Sequence, residues 1–184
     1  MELSNLIAEC RQQRTSAQKC LYDRFATSMF LLCRRYLKTD HEAEEAMMNG
    51  FLKFFTQLHY LVHTSDTTTV AWIKKIMVNE CLMMLRQRNS FLQVVEDLPE
   101  CTDQVETALA KLNAGEIFRV VTQLPTGYRT VFNLYAIEGY SHKEIAETLD
   151  IDEGTSKSQL FKARVMLQAL IAKNEQHYVN AIAQ

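Results

Sequence analysis

Thr155, Ser156, Lys157, Ser158 and Gln159 follow one another in this chain, Lys162, Arg164 and Lys173 come next, and no acid falls between Gly154 and Lys173. Hydroxyls and amides that both give and take hydrogen bonds, interleaved with cations, suit phosphates and the edges of bases. Other residue types point to other chemistry and stop short of it. His59 and His63 are one helical turn apart and would suit a shared metal, but no third ligand stands near them. His41-Glu42 begins like a zinc-protease motif and lacks the second histidine. The five cysteines, Cys10, Cys20, Cys33, Cys81 and Cys101, make no CxxC pair, so they read as reduced thiols. There is no phosphate-cradling glycine loop and no nucleophile elbow. The expectation is a protein that is not an enzyme and has no catalytic residue, no metal and no cofactor.

The polar and basic cluster needs elements to hold it. Leu124-Pro125 ends one helix and Gly127 allows a turn; Val131, Phe132, Leu134, Tyr135 and Ile137 then have the spacing of a helix with one buried face. Gly139 stands like a helix C-cap residue. Ser141 stands like an N-cap, with Glu144 three residues later to complete a capping box. A short helix with Ile145, Ala146 and Leu149 inward leads to a turn at Asp150-Ile151-Asp152-Glu153. A second helix starts near Gly154-Thr155, buries Leu160, Ala163, Leu167, Leu170 and Ile171, and carries the basic front. A short supporting helix, a tight turn and a longer helix with a polar start form the layout of a major-groove reader.

At 184 residues, 47% hydrophobic, with two prolines and five glycines, the chain suits one large or two small helical domains. The N-terminus has no apolar signal core and no stretch approaches bilayer-spanning length, so a cytoplasmic protein without membrane insertion is expected. The net charge of −2 hides segregation. Arg11, Arg14, Lys19, Arg24, Arg34, Arg35 and Lys38 face a single Asp23 in sequence, and an acidic knot of Asp40, Glu42, Glu44 and Glu45 follows. Lys74, Lys75, Arg86 and Arg88 have only Glu80 among them. Glu96, Asp97, Glu100, Asp103 and Glu106 form a second acidic block. Such a pattern suits DNA on one side and a basic protein surface on another, and equally suits a bundle with solvated charge runs.

The first unit spans 4–88. Leu21, Tyr22, Phe25, Met29, Leu32, Cys33, Tyr36 and Leu37 predict a long amphipathic helix, interrupted at Thr39-Asp40, which caps the next one with Ala43, Ala46, Met47, Phe51, Phe54, Phe55 and Leu58 inward. A polar loop separates that helix from a third carrying Trp72, Ile73, Ile76, Met77, Cys81, Leu82 and Leu85. Residues 89–107, with Pro99 and the acidic block, read as a flexible linker. The second unit spans 108–173, and 174–184 is an unassigned tail. The fold class is therefore all-α: a three- or four-helix domain and a helix-turn-helix domain.

Taken together, LYDRFATSMFLLCRRYL, EAEEAMMNGFLKFF and AWIKKIMVNECLMMLRQR, followed by LPTGYRTVFNLYAIEGYSHKEIAETLDI and EGTSKSQLFKAR, resemble the extracytoplasmic-function sigma factors of bacterial RNA polymerase over roughly Tyr22 to Ile171. The resemblance implies that the first domain corresponds to sigma region 2 and the second to region 4, with core polymerase and promoter DNA as partners and an anti-sigma protein as a common regulator. It places polymerase docking on Glu42, Glu44, Glu45, Asn49 and Phe51; the family usually has Gln-Glu where Met48-Asn49 stand. It places the −10 element, as a melted single strand, on the loop from Leu61 to Thr69 and on Asn79, Lys74, Lys75, Arg86 and Arg88. Trp72 reads as core. It places the −35 element on Lys157, Ser158, Phe161 and Lys162 with Gln159 and Arg164 alongside, on Thr155, Ser156 and Ser141 at the helix starts, and on Arg129 near the DNA backbone. Two other readings stay open: a stand-alone helix-turn-helix regulator on a palindromic operator, and a sigma-like interaction module that sequesters a partner.

Overall fold

The computed structural model describes residues 2–60, 65–87 and 112–182, with side chains up to Asn174. The expected linker and the site residues Leu61 and Arg88 lie outside these described residues. Every described element is helical, and the chain divides into two units, Met1–Arg88 and Asn89–Gln184.

In the first unit α1 (Leu3–Arg11), α2 (Thr15–Tyr36), α3 (Asp40–Gln57), a short 3₁₀ turn (Leu58–Tyr60) and α4 (Asp66–Gln87) enclose one core. Leu21, Met29, Cys33 and Tyr36 of α2 meet Ala43, Ala46, Phe51 and Phe54 of α3 and Ile73, Met77 and Cys81 of α4, all buried. Helix α1 was not expected from the sequence; Leu3, Leu6, Ile7 and Cys10 give it a buried stripe against α2. The turn from α2 to α3 is tied by Arg34, whose guanidinium donates to the Leu37 and Lys38 carbonyls at 2.8 Å each and pairs with Asp40. It thus satisfies carbonyls that a helix end leaves without partners. Thr39 caps α3, as the sequence predicts, and Glu42 completes a capping box with it.

Helices α3 and α4 cross closely at Gly50. A Cβ added there would collide with the sulfur of fully buried Met77. Gly50→Ala gains up to about 1 kcal/mol of helix propensity but overpacks a close crossing at about 1–3 kcal/mol. Net destabilisation is expected, read as a lower denaturant midpoint of the first unit's transition. Beside that crossing, the buried Glu80 carboxylate accepts from Lys53 Nζ at 2.6 Å. Its partner is therefore on α3, rather than among the cations of its own helix. The Cys81 thiol hydrogen-bonds Cys33 in the core, and that contact and burial push its pKa well above the ordinary thiol value. Buried thiols of this kind are unreactive.

In the second unit α5 (Ala114–Thr122) starts at a capping box of Asn113 with Glu116. After Leu124-Pro125 comes α6 (Thr126–Phe132), every residue of which is buried. The helical path widens into one π-type turn at Asn133–Ile137. Gly139 turns the chain with φ +80°, as its C-cap-like placement predicts. The chain then forms α7 (His142–Leu149) and α8 (Glu153–Ile182). Helix α8 begins at Glu153 and runs on through most of the stretch expected to be an unassigned tail. Asp150 ends α7 in a left-handed conformation, φ 56°. Helix α8 is the backbone of this unit, with α5, α6 and α7 packed on it.

Candidate nucleic-acid interface

The helix-turn-helix is built by local chemistry. Ser141 accepts from the Glu144 amide, and the Glu144 carboxylate accepts from the Ser141 amide at 2.8 Å and from its hydroxyl at 2.7 Å. Two donors at the start of α7 are thereby satisfied. Ile145 and Leu149 of α7 are buried, as are Leu160, Ala163 and Leu167 of α8. That packing turns the remaining face of α8 outward: Lys157, Ser158 and Phe161 are exposed, and Thr155, Gln159, Lys162 and Arg164 are half-buried. Phe161 is 58% exposed, high for an aromatic ring and suited to apolar or stacking contact with DNA. Lys157 pairs with Glu153 one turn earlier, at 3.3 Å.

Two of the residues expected to meet −35 DNA point inward. Arg129 is 1% exposed and donates to the Thr122 carbonyl at 2.9 Å, so it fastens α6 to the end of α5. Ser156 is fully buried and its hydroxyl lies 2.9 Å from His142 Nδ1. Both are corrections to the sequence expectation, because a polar side chain was read as an exposed one. These residues can shape the reading surface but cannot touch DNA from where they stand.

In the first unit Lys74, Lys75, Asn79 and Arg86 are exposed on α4. Spacings of four and seven residues set Lys75, Asn79 and Arg86 along one side of that helix. Trp72 packs on Phe54 with ring centroids 5.0 Å apart, as a core residue does. On α3, Glu44 and Glu45 are exposed and Asn49 is half-buried. Glu42 accepts from the Lys38 and Thr39 amides at 3.2 Å each, so its carboxylate serves the cap. Phe51 is buried at 2%, stacked near Tyr22 and Phe55; its expected role as a docking contact is corrected to core support.

Leu52 and Tyr60 are exposed residues that the sequence did not single out, and Met48 stood out there only as a departure from the family pattern. Met48 is 55% and Leu52 68% exposed, one turn apart on the outer face of α3. Tyr60, 74% exposed, ends the 3₁₀ turn that follows α3, and the expected polar loop gives way to the first turn of α4 from Asp66. Met48 and Leu52 fall off the buried stripe of α3, and that spacing is the signal that marks them. No group of three or more histidine, cysteine or acidic side chains that would hold a metal occurs among the described residues. No helix there is long and apolar enough to cross a membrane.

A helix-turn-helix unit with a basic front, in one chain with a helical unit that has exposed cations and an apolar-acidic face, defines a two-module DNA-binding transcription protein. The family profile for sigma-70 region 2 matches residues 21–91, and that for sigma-70 region 4 matches residues 103–167. Among relatives, the ECF RNA polymerase sigma factor SigM of Mycobacterium tuberculosis is 28% identical over 155 residues, covering 82% of this chain and 75% of its own. SigM of Bacillus subtilis is 23% identical, covering 82% of this chain and 92% of its own, and SigW of the same species is 24% identical, covering 91% and 96%. The chain belongs to the sigma-70 family as an extracytoplasmic-function sigma factor. It binds core RNA polymerase and directs promoter-specific initiation of transcription. Sigma factors are initiation factors rather than enzymes.

Proposed function

We propose that the two units divide promoter recognition between them. Helix α8 enters the major groove of the −35 element with Thr155, Lys157, Ser158, Gln159, Phe161, Lys162 and Arg164 forward. The polar and basic stretch of α8 after Glu153, free of acids from Gly154 to Lys173 and joined to α7 through left-handed Asp150, is the observation that carries this reading. Its cations are mostly lysines, point charges without the planar fork that grips guanine in two places. Backbone anchoring and shape therefore contribute more than a dense guanine code. The first unit holds the melted −10 strand, with Lys74, Lys75, Asn79 and Arg86 on the phosphates and bases and Tyr60 as a stacking surface for an unpaired base. The outer face of α3 docks on the clamp helices of the polymerase's largest subunit. The protein works in the cytoplasm, and an anti-sigma protein that covers these faces is the expected regulator.

Each unit makes few phosphate contacts, so the isolated protein is expected to bind promoter DNA weakly and to become specific only on polymerase. Lys157→Ala with Lys162→Ala is expected to lower −35-dependent initiation by about tenfold and to make the salt dependence shallower by about two phosphate contacts. Selection of promoter DNA from a random pool by the reconstituted holoenzyme tests the reading. Two conserved boxes at fixed separation support it. A single palindrome, or tight gel-shift binding without polymerase, favours a free-standing regulator instead.

A further inference from the structure

The supporting and reading helices are joined by one polar contact that the −35 reading does not use, the 2.9 Å bond between His142 Nδ1 on α7 and Ser156 Oγ on α8. Ser156 is 0% exposed, and its neighbours Thr155, Lys157 and Ser158 include the most outward groups at the start of α8. On its other side the imidazole is stacked on the Tyr135 ring, with centroids 4.6 Å apart and planes 24° from parallel. The ring is thus held between the π-type turn and the reading helix. The angle at which α8 presents its first turn depends on where Ser156 is pinned.

We propose that His142 is a positioning residue for the reading helix and that DNA binding on α8 is coupled to its protonation. The proposal rests on the reading of α8 as the −35 helix.

The groups that face the ring are Tyr135 from the turn and Ser156, Glu153, Lys157 and Arg164 from α8. Burial and then the Lys157 charge push the His142 pKa below 6.5; Arg164 adds to this and Glu153 opposes it. The ring is therefore neutral at pH 7 in the free protein. Its folded pKa lies below the unfolded value, so the folded unit binds fewer protons around pH 6.5 and loses stability as the pH falls through that value. DNA reverses the balance. When Lys157 and Arg164 meet phosphates, their charges no longer oppose a proton on His142, and the phosphates attract one. Binding then takes up a proton, and by reciprocity affinity rises as the pH falls. The Ser156 contact survives the change, because a protonated Nδ1 donates to the hydroxyl oxygen.

The test measures holoenzyme occupancy on a promoter with an intact −35 box, divided by occupancy with that box scrambled, at pH 7.5 and pH 6.0. For the natural protein this ratio is expected to rise about threefold on acidification. His142→Asn places an amide near the Nδ1 position; it is expected to match the natural protein at pH 7.5 and to show no rise. His142→Ala is expected to lower the ratio at both pH values. A natural pH slope in His142→Asn, or a natural ratio at pH 7.5 in His142→Ala, overturns the proposal. Lys157→Ala is the control for the underlying reading: if it leaves the ratio unchanged at both pH values, the −35 assignment of α8 falls and the proposal with it. If it lowers the ratio while His142→Asn keeps its slope, the proposal alone falls.

Discussion

Met48→Glu combined with Leu52→Glu is expected to abolish co-elution of the protein with core RNA polymerase. The two side chains stand one turn apart on α3, 55% and 68% exposed, with Glu44 and Glu45 exposed on either side of their ridge. An apolar ridge between carboxylates suits a partner helix with apolar side chains at its centre and basic ones at its rim. Burying a Met or Leu side chain contributes about 1.5–3 kcal/mol, and a carboxylate in its place adds a desolvation cost. Losing both contacts corresponds to a fall in affinity of at least about a hundredfold. Because both residues are exposed in the free protein, the thermal transition of the first unit is expected to stay within about 0.5 kcal/mol of its original stability. Binding of labelled protein to core polymerase, followed by anisotropy, checks this. Undiminished binding would remove α3 from the docking surface. The ridge also bears on the Met48-Asn49 departure from the family pattern, since a polar pair there gives way to an apolar contact followed by half-buried Asn49.

Arg129→Ala is expected to destabilise the second unit by about 2–4 kcal/mol, through the emptied volume and the lost partner of a carbonyl. The side chain is almost fully buried and donates to Thr122, joining α5 to α6 beneath the helix-turn-helix. A thermal or denaturant melt of the purified protein reads the loss. Recognition of −35 DNA is expected to fall in proportion to the unfolded fraction and to recover at lower temperature, while binding of single-stranded −10 DNA by the holoenzyme persists. A stable variant with weakened −35 binding at every temperature would restore Arg129 to the DNA backbone, where sequence reasoning placed it.

These two cases show what was legible in the chain. Features set by neighbouring residues were readable: the cap at Thr39, the Ser141–Glu144 capping box, the turn at Gly139, and the starts of α3 and α7 follow from side chains a few positions apart. The outward placement of Lys157, Ser158 and Phe161 was readable from the buried stripe opposite them. What depends on distant packing was not. The burial of Arg129 and Ser156 requires partners seven and fourteen residues away. A pattern that treats polar residues as exposed has no means of finding them. The π-type turn at Asn133–Ile137 inserts a wider turn into an otherwise regular period, and Leu134 stays buried across it. Helix α1 is short and its stripe of Leu3, Leu6, Ile7 and Cys10 becomes decisive only once α2 is there to cover it. Met48 and Leu52 carry no hydrogen-bonding group of the kind that marks a site in a sequence, and they and Tyr60 stand out through their exposure.

Recognition of separate promoter boxes by two helical units mounted on polymerase is open to a single experiment: initiation in vitro from a promoter with both boxes, using core polymerase reconstituted with this protein. A discrete transcript is expected that needs the added protein, that is lost when the −10 box is scrambled, and that falls sharply when the −35 box is scrambled or when α3 carries Met48→Glu with Leu52→Glu. A transcript indifferent to these changes, or none at all while the protein alone binds the promoter tightly, would contradict it.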